Sequence, residues 1–211
     1  MTPYPFNDSL RQRVQSNLSG FAVETLDQQQ LHHAAVAIVI VKYPGSPKAS
    51  VLLTLRPDHM NRHGGQYALP GGRLDCGETP VEGALRELHE ELGLPIDAAQ
   101  VLGMLDDYPT RSGFRITPVV VWAEEPAGLK PDPNEVAQVF HIPLTELDSP
   151  DIPTLSDAAP GERPVLSAYL PTLGHEVYAP TAAMLYQFRE VAMWGNATRV
   201  ADYDEPAFAW K

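Results

Sequence analysis

Short apolar runs alternate with polar stretches along most of the chain, and their composition predicts strands. Runs rich in β-branched residues at 34–41 and 51–55 flank the turn Pro44-Gly45-Ser46-Pro47, which predicts two neighbouring strands. We also predict strands at 101–105, 116–122 and 136–142, helices at 8–17 (opened by Asp8 or Ser9) and 179–193, and a Pro-rich loop at 149–164. Strands mixed with a few helices, without steady alternation, favour an α+β fold or a mixed sheet between helices.

One further helix carries clear signals at both of its ends. Thr79 is a good N-cap residue, Pro80 occupies the first helical position, and Glu82 completes a capping box with Thr79. Gly93 then favours termination, because glycine adopts the left-handed conformation that commonly follows a helix. The sequence therefore predicts a helix that begins at Pro80 and ends just before Gly93.

Three glutamates of this helix fall in one angular sector. At 100° per residue and with Glu87 at zero, Glu91 lies at about 40° and Glu90 at about −60°. We expect this sector to be exposed, because an apolar stripe that faces the core lies beside it, formed by Val81, Leu85, Leu88 and Leu92. Like charges one turn apart destabilise a helix, and a hard divalent cation would reverse that effect. An acidic solvated face is the plainer interpretation, and helix geometry leaves both open.

Charge and composition narrow the classes of partner. The formal net charge is −12, from 27 acidic and 15 basic residues. Such a surface repels a polyanion, so no nucleic-acid partner is expected, although a bound metal can still reverse the field around a small phosphate ligand. The apolar run at 34–41 is too short to cross a membrane. Because Cys76 is alone and the N-terminus has neither a basic leader nor an apolar run, we expect a cytoplasmic protein.

Residues 72–94 change the balance between the two interpretations of the acidic helix. They read glycine, five residues, glutamate, seven residues, then Arg-Glu-Leu-His-Glu-Glu-Leu-Gly-Leu. Seven fixed residues and two aliphatic positions resemble a complete Nudix box, a match that chance would give in roughly one chain of this length in 10⁷. The resemblance implies a Nudix fold, an α/β/α sandwich whose catalytic motif is a loop–helix–loop.

The same resemblance implies a metal-dependent hydrolase of diphosphate linkages. Its cofactor would be Mg²⁺ or Mn²⁺, held by Glu87, Glu90, Glu91 and the backbone carbonyl of Gly71. Mg²⁺ prefers carboxylate oxygens as protein ligands. A bound cation would neutralise the negative phosphate oxygens, which otherwise repel the attacking nucleophile.

Two further roles follow from the box. Glu78 and Arg86 would brace the loop and the helix. The general base that takes the proton of the water differs among Nudix enzymes, and here Glu90 is the first candidate and Glu135 the second.

A longer resemblance, over about residues 35–190, is to coenzyme A pyrophosphatases. It is carried by Leu52-Leu53-Thr54-Leu55-Arg56, His63, Gly65-Gln66 and Pro70-Gly71-Gly72, and by residues 107–108, 113–118, 134–136 and 178–182. It implies a small nucleotide substrate, coenzyme A or a thioester, cleaved to 3′,5′-ADP and a 4′-phosphopantetheine product. Pro57, Asn61 and Leu69 depart from the pattern. Asn61 stands where that signature has arginine, which weakens an expected contact to the 3′-phosphate.

Other substrates and a second class of function stay open. Arg56, Arg62 and His63 lie before the box and are candidates to face substrate phosphates, with a structural or solvent-facing role equally open. The same chemistry on NADH, ADP-ribose or a nucleoside triphosphate is the nearest alternative. A non-catalytic module that binds a nucleotide is the other, although a binder does not need three close carboxylates.

We expect one Nudix domain over residues 1–211. Its core would span about 31–195, preceded by a helical arm at 1–30 and followed by a tail at 196–211. Tyr203, Phe208 and Trp210 of the tail could pack on the domain or contact a partner, and a homodimer is compatible with the sequence.

Overall fold

The computed structural model describes residues 3–26, 30–58, 64–124, 128–157 and 162–206. The first half of the chain contains α1 (Asp8–Ser19), β1 (His32–Lys42), β2 (Ala49–Leu55), β3 (Tyr67–Ala68), β4 (Gly71–Arg73), α2 (Pro80–Leu92), a 3₁₀ turn (Ala98–Gln100) and β5 (Val101–Met104). The second half contains β6 (Tyr108–Pro109), β7 (Phe114–Trp122), β8 (Gln138–Pro143), α3 (Leu144–Leu147), β9 (Thr154–Leu155), β10 (Leu166–Leu170), β11 (His175–Tyr178), α4 (Thr181–Gln187) and a π-helical segment (Phe188–Met193).

Strand β1 lies at the centre of the main sheet. It pairs in parallel with β7 over its first nine residues and antiparallel with β2 near its end. Strand β4 pairs antiparallel with its beginning, where Ala34 faces Arg73. The remaining pairs are antiparallel: β3 and β8 with β2, and β5 and β6 with β7. One parallel pair among antiparallel ones makes the sheet mixed, as predicted.

Helices cover both faces of this sheet. Alternate residues of β1 point to opposite faces, so Ala35, Ala37 and Val39 pack with Leu88 and Leu92 of α2. The intervening residues Val36, Ile38 and Ile40 belong to a larger core on the other face, which includes apolar side chains of α1 and α4. The resulting layers confirm the predicted α/β/α arrangement.

The predicted strands and helices are present, with corrections at their ends. The N-cap of α1 is Asn7, whose side chain accepts a 3.0 Å hydrogen bond from the N–H of Leu10, so the expectation of Asp8 or Ser9 is wrong. The single helix predicted at 179–193 is α4 followed by the π-helical segment. The predicted loop at 149–164 contains the short strand β9.

A second, three-stranded antiparallel sheet of β9, β10 and β11 was not predicted. The C-terminal segment also packs on the body of the protein. Val200 is buried, Asp204 forms a bridge with Val165, and the carbonyl of Tyr203 accepts a 2.9 Å hydrogen bond from the Tyr108 hydroxyl. Phe208 and Trp210 lie outside the described residues. Within the described residues, no helix has the length and apolar character needed to span a membrane.

Candidate metal centre and substrate cavity

Helix α2 is fixed at both ends by the residues that predict it. Thr79 accepts from the N–H of Glu82, and the Glu82 carboxylate accepts from the N–H of Thr79 at 2.9 Å. Gly93 ends the helix in the left-handed conformation, at φ 62°. Leu88 and Leu92 are fully buried. Caps and packing together set the rotation of the helix about its axis, and therefore the direction of its glutamates.

Three carboxylates converge at the C-terminal half of α2. Oxygen atoms of Glu87, Glu91 and Glu135 all lie within 4.8 Å of one another. Glu135 comes from the turn that precedes β8. This turn is attached to the helix, because the N–H of Asp132 donates to the Glu91 carbonyl at 2.9 Å and the N–H of Glu135 donates to the Asp132 carbonyl at 3.0 Å. Residues 44 positions apart in the chain thus form one oxygen-rich cluster.

Glu91 is buried, which corrects the expectation of an exposed sector. Only 2% of its surface is exposed, and burial and the nearby charge of Glu87 raise the pKa of its carboxyl to about 8. Burial also raises the pKa of Glu87. Arg56 opposes the shift at Glu91, with Nη1 3.9 Å from Oε1. A buried cluster of like charges suits a divalent cation with carboxylate ligands, so these side chains fit the implied metal.

Two glycines let strand β4 approach these carboxylates closely. The N–H of Gly71 donates to Glu91 Oε2 at 3.2 Å. A Cβ atom on Gly72 would lie 2.3 Å from Glu87 Oε1, so only glycine leaves room for that carboxylate. A metal-binding role for the Gly71 carbonyl stays a prediction.

Arg86 connects the loop, the helix and β4. Its guanidinium donates to both oxygens of Glu78, at 2.9 and 3.1 Å, and to the carbonyl of Arg73 at 2.9 Å. It also donates to Glu87 at 2.9 Å and to Glu90 at 2.8 Å. The ion pair with Arg86 lowers the pKa of Glu78. Glu90 therefore forms an ion pair with Arg86, and 54% of its side chain is exposed. The third carboxylate of the cluster with Glu87 and Glu91 is that of Glu135.

A cavity of about 660 Å³ borders the carboxylate cluster at Gly71 and Gly72. Its wall is largely apolar and is formed in part by the face of the sheet opposite α2, with side chains that include Ala34, Val36, Phe114, Ile116, Val177 and Met184. Arg56 lines the cavity near the cluster, and its Nε is buried without a hydrogen-bond partner. The arrangement places a cationic, donor-rich group between the carboxylates and the apolar wall.

The sequence of the region matches a known family. The model of the NUDIX domain matches residues 31–169, which is more than half of the 211-residue chain. The chain belongs to the Nudix family.

Curated relatives carry the same family name. The Nudix hydrolase NudL of Yersinia enterocolitica is 43% identical over 116 residues, which cover 54% of this chain and 58% of that protein. NudL of Pectobacterium atrosepticum is 38% identical over 117 residues, or 55% and 61% of the two chains. The match thus spans about three fifths of the length of these relatives. A solved structure, the Nudix hydrolase RenU of M. smegmatis, is 31% identical, with coverage of 56% and 73% and a TM-score of 0.42.

The Nudix box residues occupy one continuous region of the structure, but two predicted substrate residues cannot be placed. Arg62 and His63 lie outside the described residues. The side chains that line the cavity without having been predicted as site residues include Arg73, Phe114 and Glu205. The alternation of side chains along β4 is a usable signal for Arg73, because it places this side chain on the face of the sheet opposite to that of Gly72. Glu205 had no signal, because its segment carries no recognisable periodicity.

Proposed function

We propose that this Nudix protein hydrolyses the diphosphate linkage of a nucleoside-diphosphate derivative in a metal-dependent reaction. The observation that carries the proposal is the cluster of Glu87, Glu91 and Glu135, which lies against Gly71 and Gly72 in the lining of a cavity of about 660 Å³. A non-catalytic binder has no need for three carboxylates this close, because their mutual repulsion destabilises the protein without a cation.

The proposed cofactor is Mg²⁺ or Mn²⁺. Glu87 and Glu91 would hold it, together with the Gly71 carbonyl. When bound, the cation would supply charge neutralisation for the phosphate oxygens and would orient the attacking water. Arg86 keeps Glu87 in place by a direct hydrogen bond. Arg56, whose Nε lacks a partner among the described residues, would bind a phosphate oxygen.

Glu90 and Glu135 are the two candidates for the general base. Glu90 accepts from Arg86 at 2.8 Å, so the guanidinium already occupies one of its oxygens, and Glu90 is outside the carboxylate cluster. Glu135 lies in the cluster itself, so a water beside Glu87 and Glu91 would be within its reach. The geometry therefore favours Glu135, and comparing Glu90→Gln with Glu135→Gln decides between them.

The proposed substrate is coenzyme A or one of its thioesters. The support is the longer sequence resemblance, together with a cavity whose largely apolar wall suits a long uncharged pantetheine arm beside the diphosphate. The expected products are 3′,5′-ADP and 4′-phosphopantetheine or its acyl derivative.

Mass spectrometry of reaction products tests both levels of the proposal. The protein is incubated with Mg²⁺ or Mn²⁺ and, separately, coenzyme A, acetyl-coenzyme A, NADH, ADP-ribose and nucleoside triphosphates. Controls are the same reactions with a chelator and with Glu91→Gln. Release of 3′,5′-ADP from coenzyme A supports the full proposal. If only another compound is hydrolysed in a metal-dependent way, the proposed hydrolase activity is retained and coenzyme A is rejected as the substrate. If no compound is hydrolysed, the proposed activity is rejected for all compounds tested.

A further inference from the structure

We propose that Arg73 binds a phosphate on the ribose of the substrate, separate from the diphosphate, and thereby selects substrates that carry this extra anion. The inference rests on the proposed function and names the residue that would distinguish coenzyme A from its 3′-dephospho form. No sequence motif assigned Arg73 a role.

The backbone directs Arg73 away from the glutamates and into the cavity. On β4, the missing side chain of Gly72 faces Glu87, and successive side chains of a strand point to opposite faces. Arg73 therefore emerges on the other face of the sheet. There it is paired with Ala34 of β1, which is paired in turn with Ile116 of β7. All three residues line the cavity.

Arg73 is an exposed residue whose guanidinium rests on an aromatic ring and donates no hydrogen bond to the other described residues. Its central carbon lies 4.8 Å above the centroid of the Phe114 ring, a cation–π contact that restrains the long side chain. Among the described residues, no carboxylate lies within ion-pair distance of Arg73, in contrast to Arg86 and Arg56. A guanidinium that rests on a ring keeps its N–H donors in the plane, where they match two oxygens of a phosphate.

The separation along β4 distinguishes this anion from the diphosphate. Gly71 contacts Glu91, and two residues of extended strand place the backbone of Arg73 about 7 Å farther on. The side chain then extends onto Phe114. A diphosphate at the carboxylate cluster and an anion at Arg73 are thus separated by roughly the width of one sugar ring. In coenzyme A the 3′-phosphate is separated from the diphosphate by the ribose ring, whereas ADP-ribose and NADH have no phosphate at that position of the adenosine ribose.

The inference also accounts for one departure in the sequence. Asn61 stands where coenzyme A pyrophosphatases carry an arginine. Arg56 and Arg73 are the two arginines among the described residues that line the cavity, and Arg56 lies 3.9 Å from Glu91. Arg56 therefore belongs to the diphosphate end, which leaves Arg73 for the second anion.

The test compares two substrates and four proteins. Steady-state kcat/KM is measured for coenzyme A and 3′-dephospho-coenzyme A with the wild type, Arg73→Gln and Arg73→Lys. The control is Arg13→Gln, since Arg13 likewise lies over an aromatic ring, that of Tyr4, but on α1. For Arg73→Gln we expect a loss of about 10- to 100-fold on coenzyme A and less than about 3-fold on the dephospho form. Arg73→Lys should recover part of the loss, because it keeps the charge without the planar fork.

Equal losses on both substrates would overturn the inference, because Arg73 would then act on the diphosphate or on the fold. Unchanged kinetics would overturn it as well. If the wild type hydrolyses neither compound, the coenzyme A assignment fails, and calorimetric binding of 3′,5′-ADP and 5′-AMP tests the role of Arg73 independently of turnover. Tighter binding of 3′,5′-ADP that disappears in Arg73→Gln would support the role, and equal binding of both by the wild type would reject it.

Discussion

The peptide N–H of Gly71 donates a 3.2 Å hydrogen bond to the carboxylate of Glu91. This contact joins the glycine-rich strand β4 to the last turn of α2, and it holds in place a carboxyl group that is 98% removed from solvent. A buried, oriented acid beside Glu87 and Glu135 is the feature on which metal binding and turnover are expected to depend most strongly.

Replacement of Glu91 by glutamine should therefore abolish most activity while the fold is kept. The amide still accepts from Gly71 and fills the same space, but it supplies no negative charge to the cation. We expect turnover to fall by about 100-fold or more, with weaker Mn²⁺ binding in calorimetry. Glu124→Gln is the control, because Glu124 forms an exposed ion pair with Arg11. A folded, metal-saturated Glu91→Gln protein with near-normal turnover would contradict the assignment.

Alanine substitutions at Gly71 and Gly72 should affect different properties of the protein, stability at Gly71 and metal binding at Gly72. A Cβ on Gly72 would meet the mobile end of Glu87 at 2.3 Å, so Gly72→Ala should displace that carboxylate at little cost to the fold. A Cβ on Gly71 would meet the Ala35 carbonyl at 2.3 Å and the Val36 Cα at 2.6 Å, on a backbone with φ +153°.

We therefore expect Gly72→Ala to lose about 10-fold or more in metal affinity with a change of about 1 kcal/mol or less in stability. Gly71→Ala should lower the free energy of unfolding by about 2 kcal/mol or more. Chemical denaturation and Mn²⁺ calorimetry measure the two effects, and similar profiles for both variants would refute the distinction. Gly20→Ala is the control, because a Cβ there has contacts no closer than 3.6 Å.

Much of this region was predictable from local sequence. Thr79, Glu82 and Gly93 specify the ends of α2 through hydrogen bonds between near neighbours, and the box spacing identifies Glu87 and Glu91. The β-branched runs predict β1 and β2 because their side chains are buried on both faces of the sheet. In each case the signal and the structure that it determines lie within a few residues.

The remainder depends on contacts between distant segments. Glu91 is buried because the turn that carries Glu135 covers the end of α2, a packing that helix periodicity does not contain. Likewise, Arg73 lines a cavity only because β4 pairs with β1 and β1 pairs with β7. The β10–β11 hairpin was missed because its polar exposed positions and its Pro-Thr-Leu-Gly turn resemble the surrounding loop.

Arg86 should not tolerate lysine. Its guanidinium reaches Glu78, Glu87, Glu90 and the Arg73 carbonyl, whereas an ammonium group cannot meet so many acceptors in one plane. For Arg86→Lys we expect a loss of about 1 to 3 kcal/mol in the free energy of unfolding and weaker Mn²⁺ binding through a mobile Glu87. Arg11→Lys, with one carboxylate partner, should change stability by less than about 0.5 kcal/mol. Equal behaviour of the two variants would exclude a bracing role for Arg86.

Glu205 predicts a dependence of stability on pH. It is 6% exposed and lines the cavity, and its Oε1 has no hydrogen-bond partner. Burial raises the pKa of its carboxyl to about 7, and a hydrogen bond from the Arg111 backbone partly offsets that shift. The folded protein therefore holds this proton more tightly than the unfolded chain, in which the pKa is about 4.5. The stability associated with the neutral acid is present below pH 4.5 and is lost as the pH rises toward 7.

Replacement of Glu205 by methionine removes the charge and retains an apolar side chain of similar length. At pH 8, with a chelator present, we expect Glu205→Met to be more stable than the wild type by about 1 to 3 kcal/mol. The advantage should shrink as the pH falls toward 5, because the wild-type carboxyl is then neutral. Urea denaturation of both proteins across this range measures the difference. A constant difference would show that the carboxyl keeps an ordinary pKa, and a wild type that gains on the variant as the pH rises would mean that its ionised form has a partner.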